Sequence, residues 1–322
     1  MTASASSESR KSENLWSDIE PLLPIFTPSS DAHRLFEACD RLSTLLSSQD
    51  AVTSLGTSQR SDIVRALAKC LDSSDPRQLA KLTGLILLIT KGGSNLLSCA
   101  KIIFRLSKSV SNDELFLQES LCQRIMSALG DSRLNRVVTC LDKGRVSEAL
   151  IDAEAVVYLI GSVKNVSATN FANQQCLLSE GAVQVLTSWI FPFCKPDFAS
   201  SPPDWLAKGQ DVLCNLLMQA TGALRNLAAG VGAGAGDWSS FVDAQAPHAI
   251  ARLLFCWRQR ADLTLNATRV LSKLSHSAEC REAILEQATA AGGGGGASGE
   301  VPLHGELVRA LEGLFEAADE DA

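Results

Sequence analysis

The side chains best placed to act on another molecule in this chain are amides and cations, not nucleophiles. Four helical phrases carry them: CAKIIFRLS at 99–107, YLIGSVKNVS at 158–167, QATGALRNLA at 219–228 and NATRVLSKLS at 266–275. Set in register on their closing apolar residues (Leu106, Val166, Leu227 and Leu274), the phrases share a stripe of three positions each. The stripe holds Ser98, Lys101 and Arg105; Tyr158, Gly161 and Asn165; Gln219, Gly222 and Asn226; and Asn266, Arg269 and Lys273. Spacings of three and four residues put each trio on one helix face. An amide has a donor and an acceptor, so it can hold an extended peptide by both N–H and C=O. Arg and Lys favour an acidic ligand, and Gly161 and Gly222 would admit a backbone closely. The candidate groove is therefore Lys101, Arg105, Tyr158, Asn165, Gln219, Asn226, Asn266, Arg269 and Lys273. The same residues also suit a solvated helix face whose amides bridge neighbouring units.

Catalytic chemistry finds no comparable arrangement. General acid–base work needs convergent titratable groups, whereas His33, His248, His276 and His304 lie in separate segments. The ten cysteines include no CxxC pair and sit singly in apolar helical stretches. They read as small buried thiols of a reducing compartment, with no zinc-ligand spacing. The stretch GVGAGAG at 230–236 has neither a preceding strand nor a following lysine, so it reads as a flexible, substitution-tolerant loop, not a phosphate cradle. No catalytic, cofactor or metal residues are expected, and the reading is of a non-enzyme. A net charge of −7 gives no global attraction to nucleic acid or anionic lipid. The longest apolar run, around Leu82–Ile89, falls far short of the ~20 residues a membrane span needs. The first residues lack the apolar core of a signal peptide.

The elements that must position the stripe follow from recurrence. The closing residues repeat at intervals of 60, 61 and 47. After three of the phrases comes a second apolar run: LFLQESLCQRIMSAL, CLLSEGAVQVLTSWI and FVDAQAPHAIARLL. A recurring supersecondary unit of ~40–47 residues implies a helical solenoid, each unit burying its apolar face on its neighbours. The longer intervals imply insertions, assigned to Gly130–Leu150 and Phe191–Pro203. Upstream, Ser61 or Asp62 is expected to cap a helix running to about Leu71. Asp75-Pro76 opens another, which Gly92-Gly93 ends. The organisation reads as a Ser-rich disordered tail at 1–14, a repeat domain at 15–290, a glycine-rich linker at 291–300, a capping helix at 301–317 and an acidic tail at 318–322.

The unit resembles the armadillo repeat: two short helices, then a longer third one closing on an N-L-[SA] phrase. ALRNLA at 223–228 matches the third helix, and Glu180-Gly181-Ala182-Val183 with Leu186 matches the start of the second. Spacing alone also tolerates HEAT-like helical pairs. KIIFRLSKSVSNDELFLQESL (101–121), EAVVYLIGSVKNVS (154–167) and LLSEGAVQVLTSWI (177–190) together resemble the armadillo repeat-containing protein 2 family, over roughly residues 75–290. The N-D-x-L-F stretch from Asn112 to Phe116 is its most distinctive part.

That resemblance implies an all-α, armadillo-like solenoid of three-helix repeats, with the third helices lining a concave face. It further implies a monomeric adaptor of the cytoplasm and the cilium or flagellum, supporting axoneme assembly and the sperm flagellum. Its implied partners are radial-spoke components and the intraflagellar transport machinery; from charge and apolar run length, no nucleic acid and no membrane are expected as partners. The alternative is a generic cytosolic armadillo scaffold in signalling or adhesion. Nuclear-import armadillo receptors place Trp four residues before the Asn; here Gly161 and Gly222 stand in that position. Trp16, Trp189, Trp205, Trp238 and Trp257 are expected as core or loop anchors instead.

Overall fold

A computed structural model describes residues 15–90, 92–194 and 204–283, with side chains except at 49 and 204–207. Among these residues there are helices and turns and no strand, so the fold class is the all-α helical solenoid. The expected tail at 1–14, linker at 291–300, capping helix at 301–317 and acidic tail at 318–322 lie outside the described residues. The chain forms two compact units, one up to Ala128 and one from Leu129.

The first unit opens with the 3-10 helix Glu20–Ile25 and contains α1 (Ala32–Leu45), α2 (Gln49–Ser54), α3 (Thr57–Ala68), α4 (Pro76–Ile89), α5 (Ser94–Leu106) and α6 (Asp113–Gln118). Helix α7 (Leu121–Leu129) ends on the first residue of the second unit. Asp75 caps α4 as expected: its carboxylate accepts from the Arg77 N–H at 3.0 Å, and Pro76 follows at the first helical position. Such a cap satisfies a donor the helix itself leaves unpaired. Helix α3 starts four residues earlier than Ser61, because the Gln59 side chain accepts from the Gly56 N–H at 2.8 Å. Apolar residues of α4 are buried on almost every side, and the helix packs against α1, α3 and α5.

The second unit contains α8 (Asp131–Asp142), α9 (Val146–Val166), α10 (Phe171–Ser179), α11 (Ala182–Ile190), α12 (Asp204–Gly232), α13 (Ser239–Asp243), α14 (Ala246–Cys256) and α15 (Ala261–Leu274). Helix α9 lies against α12, and α12 against α15. Helix α11 packs on α12 and α14, so the short helices form a layer behind the long ones. Leu159, Ile160, Val163, Leu216, Leu224, Leu227 and Val270 are fully buried in this stack. Each such side chain contributes about 1.5–3 kcal/mol relative to exposure. The interval assigned to an insertion at Gly130–Leu150 is regular structure: α8, a turn at Gly144 (φ 71°), and the start of α9.

Each second apolar run is a pair of short helices meeting at a corner: α6 and α7, α10 and α11, α13 and α14. One residue at each corner has positive φ: Ser120 (53°), Gly181 (72°) and Gln245 (54°). Only the middle corner uses the residue that adopts this region without a steric cost.

Within the second unit, two tryptophans tie one repeat to the next. The Trp189 indole donates to the Leu129 carbonyl at 2.7 Å, and the Trp257 indole to the Phe193 carbonyl at 2.9 Å. The acceptors are 60 and 64 residues upstream, about one repeat interval. Both accepting carbonyls lie at the C-terminal ends of helices (α7 and the 3-10 turn Phe191–Phe193), where no intrahelical partner exists.

The loop expected at 230–236 is corrected in its first part only: 230–232 belong to a helix, and 233–236 are turn. Helix α12 runs through Gly232, and Gly230 is buried, with Gln174 so close that an added Cβ would lie 2.6 Å from its Oε1. Gly230 is therefore required by packing, whereas an added Cβ at Gly234 would meet nothing within 4 Å.

Candidate functional site

The face shared by α9, α12 and α15 carries the polar concavity of the second unit. It encloses about 330 Å³ and is lined mainly by Lys164, Asn165, Gln219, Gly222, Arg225, Asn226 and Asn266. Four of the nine candidate groove residues therefore meet: Asn165, Gln219, Asn226 and Asn266. Tyr158 is half-buried on α9, and Arg269 and Lys273 are exposed on α15, outside the concavity. Lys101 and Arg105 are exposed on α5 in the first unit.

The amides are partly committed to the protein itself. Asn226 donates from Nδ2 to the Lys164 carbonyl at 2.8 Å, bridging α12 to α9 across 62 residues. Its Oδ1 accepts from Arg225 Nη2 at 3.4 Å. Beneath it, Gln174 donates to the Ser167 carbonyl at 2.8 Å and to the Asn226 carbonyl at 3.5 Å. Asn266 points its Nδ2 at the Met218 sulfur, 3.3 Å away. Gln219 Oε1 is a buried acceptor with no protein donor. The glycines differ from expectation as well. Gly161 is buried, and Gly222 makes room for a neighbouring side chain: an added Cβ would lie 2.7 Å from Lys164 Cδ. Gly222 thus seats the Lys164 stem rather than a partner's backbone.

Lys164 and Arg225 were not singled out from the sequence, yet they supply the charge here. Burial pushes the Lys164 pKa down from 10.5, and the adjacent Arg225 charge pushes it further in the same direction. Among the described residues no Asp or Glu lines the concavity. A signal was available: Lys164 and Arg225 immediately precede Asn165 and Asn226 at the same register.

The first unit offers a second polar cluster of the opposite kind. Glu119, 7% exposed at its side chain, pairs with Lys81 at 3.1 Å and Arg77 at 3.0 Å, and Lys81 also pairs with Asp40. Arg124 donates to Ser43 at 2.8 Å, passing over Gly84. Charges there are mutually satisfied, which marks a structural network. Among the described residues no cluster of three or more His, Cys, Asp or Glu is placed to hold a metal ion. None of their helices is singly long and apolar enough to cross a membrane.

The chain is similar to armadillo repeat-containing protein 2. The mouse protein is 28% identical over 222 residues, 65% of this chain and 22% of its own length. The human protein is 26% identical over 229 residues, covering 70% of this chain and 23% of itself. The cow protein is 28% identical over 173 residues, 52% and 17% respectively. The chain thus spans less than a quarter of these relatives. No family model matches. Among solved structures, an engineered protein aligns over 93% of this chain and 99% of its own at TM-score 0.43 and 14% identity, and a second over 92% and 68% at 0.39 and 16%.

Proposed function

We propose that this chain is a non-enzymatic, protein-binding scaffold of the armadillo type, presenting the face of α9, α12 and α15 to its partner. The observation that carries this reading is the amide- and cation-lined concavity on adjacent long helices, an arrangement suited to an extended peptide. Solenoids use such faces for recognition because side chains repeat there at regular spacing. The likeness to armadillo repeat-containing protein 2 supports a more specific role: an adaptor in the cytoplasm and the cilium or flagellum, working in axoneme assembly. On that reading its partners are radial-spoke components and the intraflagellar transport machinery, and its tissue roles include the sperm flagellum. A tagged chain expressed in ciliated cells should concentrate at the ciliary base or along the axoneme, and its loss should impair motility. Diffuse distribution together with normal motility after loss would remove the ciliary role and leave the scaffold.

A further inference from the structure

We propose that the concavity between α9 and α12 is an acceptor site for an acidic peptide segment, its Asp or Glu carboxylate held between Lys164 and Arg225. The inference rests on the scaffold reading and names the chemistry of the partner at that face. Three observations carry it. Two cations from adjacent helices share a half-enclosed space of about 330 Å³ whose lining, among the described residues, includes no carboxylate. The first unit shows how this chain neutralises clustered cations internally, with Glu119 and Asp40 against Lys81 and Arg77. At the concavity no carboxylate among the described residues does the equivalent, and Lys164 is held there at a cost from burial and from Arg225. An incoming carboxylate supplies the missing charge.

The surroundings favour a peptide over a bare anion. Gln219, Asn165 and Asn266 line the same space, so amide side chains, which carry both a donor and an acceptor, stand beside the two cations. Asn226 is fixed by its bond to the Lys164 carbonyl, so Arg225, which donates to its Oδ1, is held beside it in the lining. Nonspecific attraction works against this ligand: the chain carries a net charge of −7 and repels an acidic peptide at long range. Binding of such a peptide therefore needs a local site.

The test uses the full chain and fluorescein-labelled nonapeptides in fluorescence anisotropy. One probe contains Glu and Asp residues, one is its Gln and Asn counterpart, and one is basic; inorganic phosphate serves as competitor. Lys164→Met keeps the stem that packs on Gly222 while removing the charge, and Arg225→Met does the same for the guanidinium. Each variant should weaken the acidic probe by about tenfold, the loss expected for one charge-assisted hydrogen bond, with an unchanged circular dichroism spectrum. Lys164→Arg should retain binding. Equal binding of the acidic and the amide probe, or acidic binding untouched by both Met variants, overturns the proposal. Phosphate displacing the acidic probe at micromolar concentration would replace the carboxylate by a phosphate and also overturn it. Neutral or basic probes that bind irrespective of Lys164 and Arg225 defeat this site but leave the scaffold standing. Failure of every probe class counts against both.

Discussion

Replacing Trp189 by Phe isolates one hydrogen bond between repeats. The indole is fully buried, and its only polar atom donates to the Leu129 carbonyl at 2.7 Å. That carbonyl ends α7 and has no successor turn to pair with, so the phenyl ring leaves it buried and unsatisfied. An orphaned acceptor costs about 1–3 kcal/mol. The smaller ring also leaves a gap worth roughly another 1 kcal/mol. The expected loss is therefore ~2–4 kcal/mol, which moves the urea midpoint down by about 1 M or more at the usual denaturant dependence. Trp257→Phe, whose indole is 6% exposed and bonds the Phe193 carbonyl at 2.9 Å, should lose somewhat less. Urea titration by circular dichroism gives the midpoints, and amide hydrogen exchange shows where protection is lost. Trp189→Phe should deprotect the end of α7 and the start of α8 before other segments. A midpoint unchanged for both variants, or exchange unaltered around residues 129–134, would refute the claim that the indoles fasten one repeat to the next.

Four further outcomes follow from particular contacts. Gln245→Gly should raise stability by about 0.5–1 kcal/mol, since its exposed corner has φ 54° and L-residues are penalised there; thermal denaturation measures it, and Gly181→Ala should shift the other way. Gly230→Ala should lower the melting temperature by several degrees because the new methyl meets Gln174; neutrality would restore the reading of a free loop. Lys164, with its folded pKa held below 10.5, penalises the native state while charged and releases that penalty as pH rises through the folded value. Lys164→Met should accordingly be the more stable protein at pH 7, its advantage shrinking toward pH 10.5, as read from paired melting curves; a constant difference would contradict the sign. For the thiols, Cys39 is pushed up to about 12 by burial, and Cys70, Cys99, Cys194, Cys214 and Cys280 are raised by the same cause. Native protein at pH 8 should react rapidly with a thiol reagent at Cys176 and Cys256 at most, the two that are not buried, and at all ten only in denaturant.

The sequence carried the repeat because closing phrases are local. Helices α5, α9 and α15 end at Leu106, Val166 and Leu274, the residues on which the register was set. Helix α12 passes Leu227 and continues to Gly232, since its glycine pays no steric penalty against Gln174 and so the helix need not stop there. The corner at Gly181 was readable from glycine, whereas Ser120 and Gln245 adopt the same region without that signal. Tertiary ties were not readable at all. The partners of Trp189, Trp257 and Asn226 are main-chain carbonyls 60 to 64 residues away, and any residue type can supply a carbonyl. Lys164 and Arg225 escaped the stripe for another reason. They stand one position, and so about 100° of helix rotation, from their Asn neighbours, and only long side chains return them to the same space.

Those ties also divide labour within the candidate site. Because each acceptor belongs to the backbone, only the donor side chain must be kept for the tie to form. Asn226 is such a donor: its amide is occupied at both ends, by the Lys164 carbonyl and by Arg225. It therefore contributes position rather than contact. On the proposed reading, contact with a peptide falls to the neighbours of Asn226, and charge selection to Lys164 and Arg225. Asn226→Ala and Arg225→Met should thus separate cleanly. The first loosens α12 from α9 and lowers stability by about 1–2 kcal/mol through a lost side chain to backbone bond. The second leaves the stack intact and changes what it accepts.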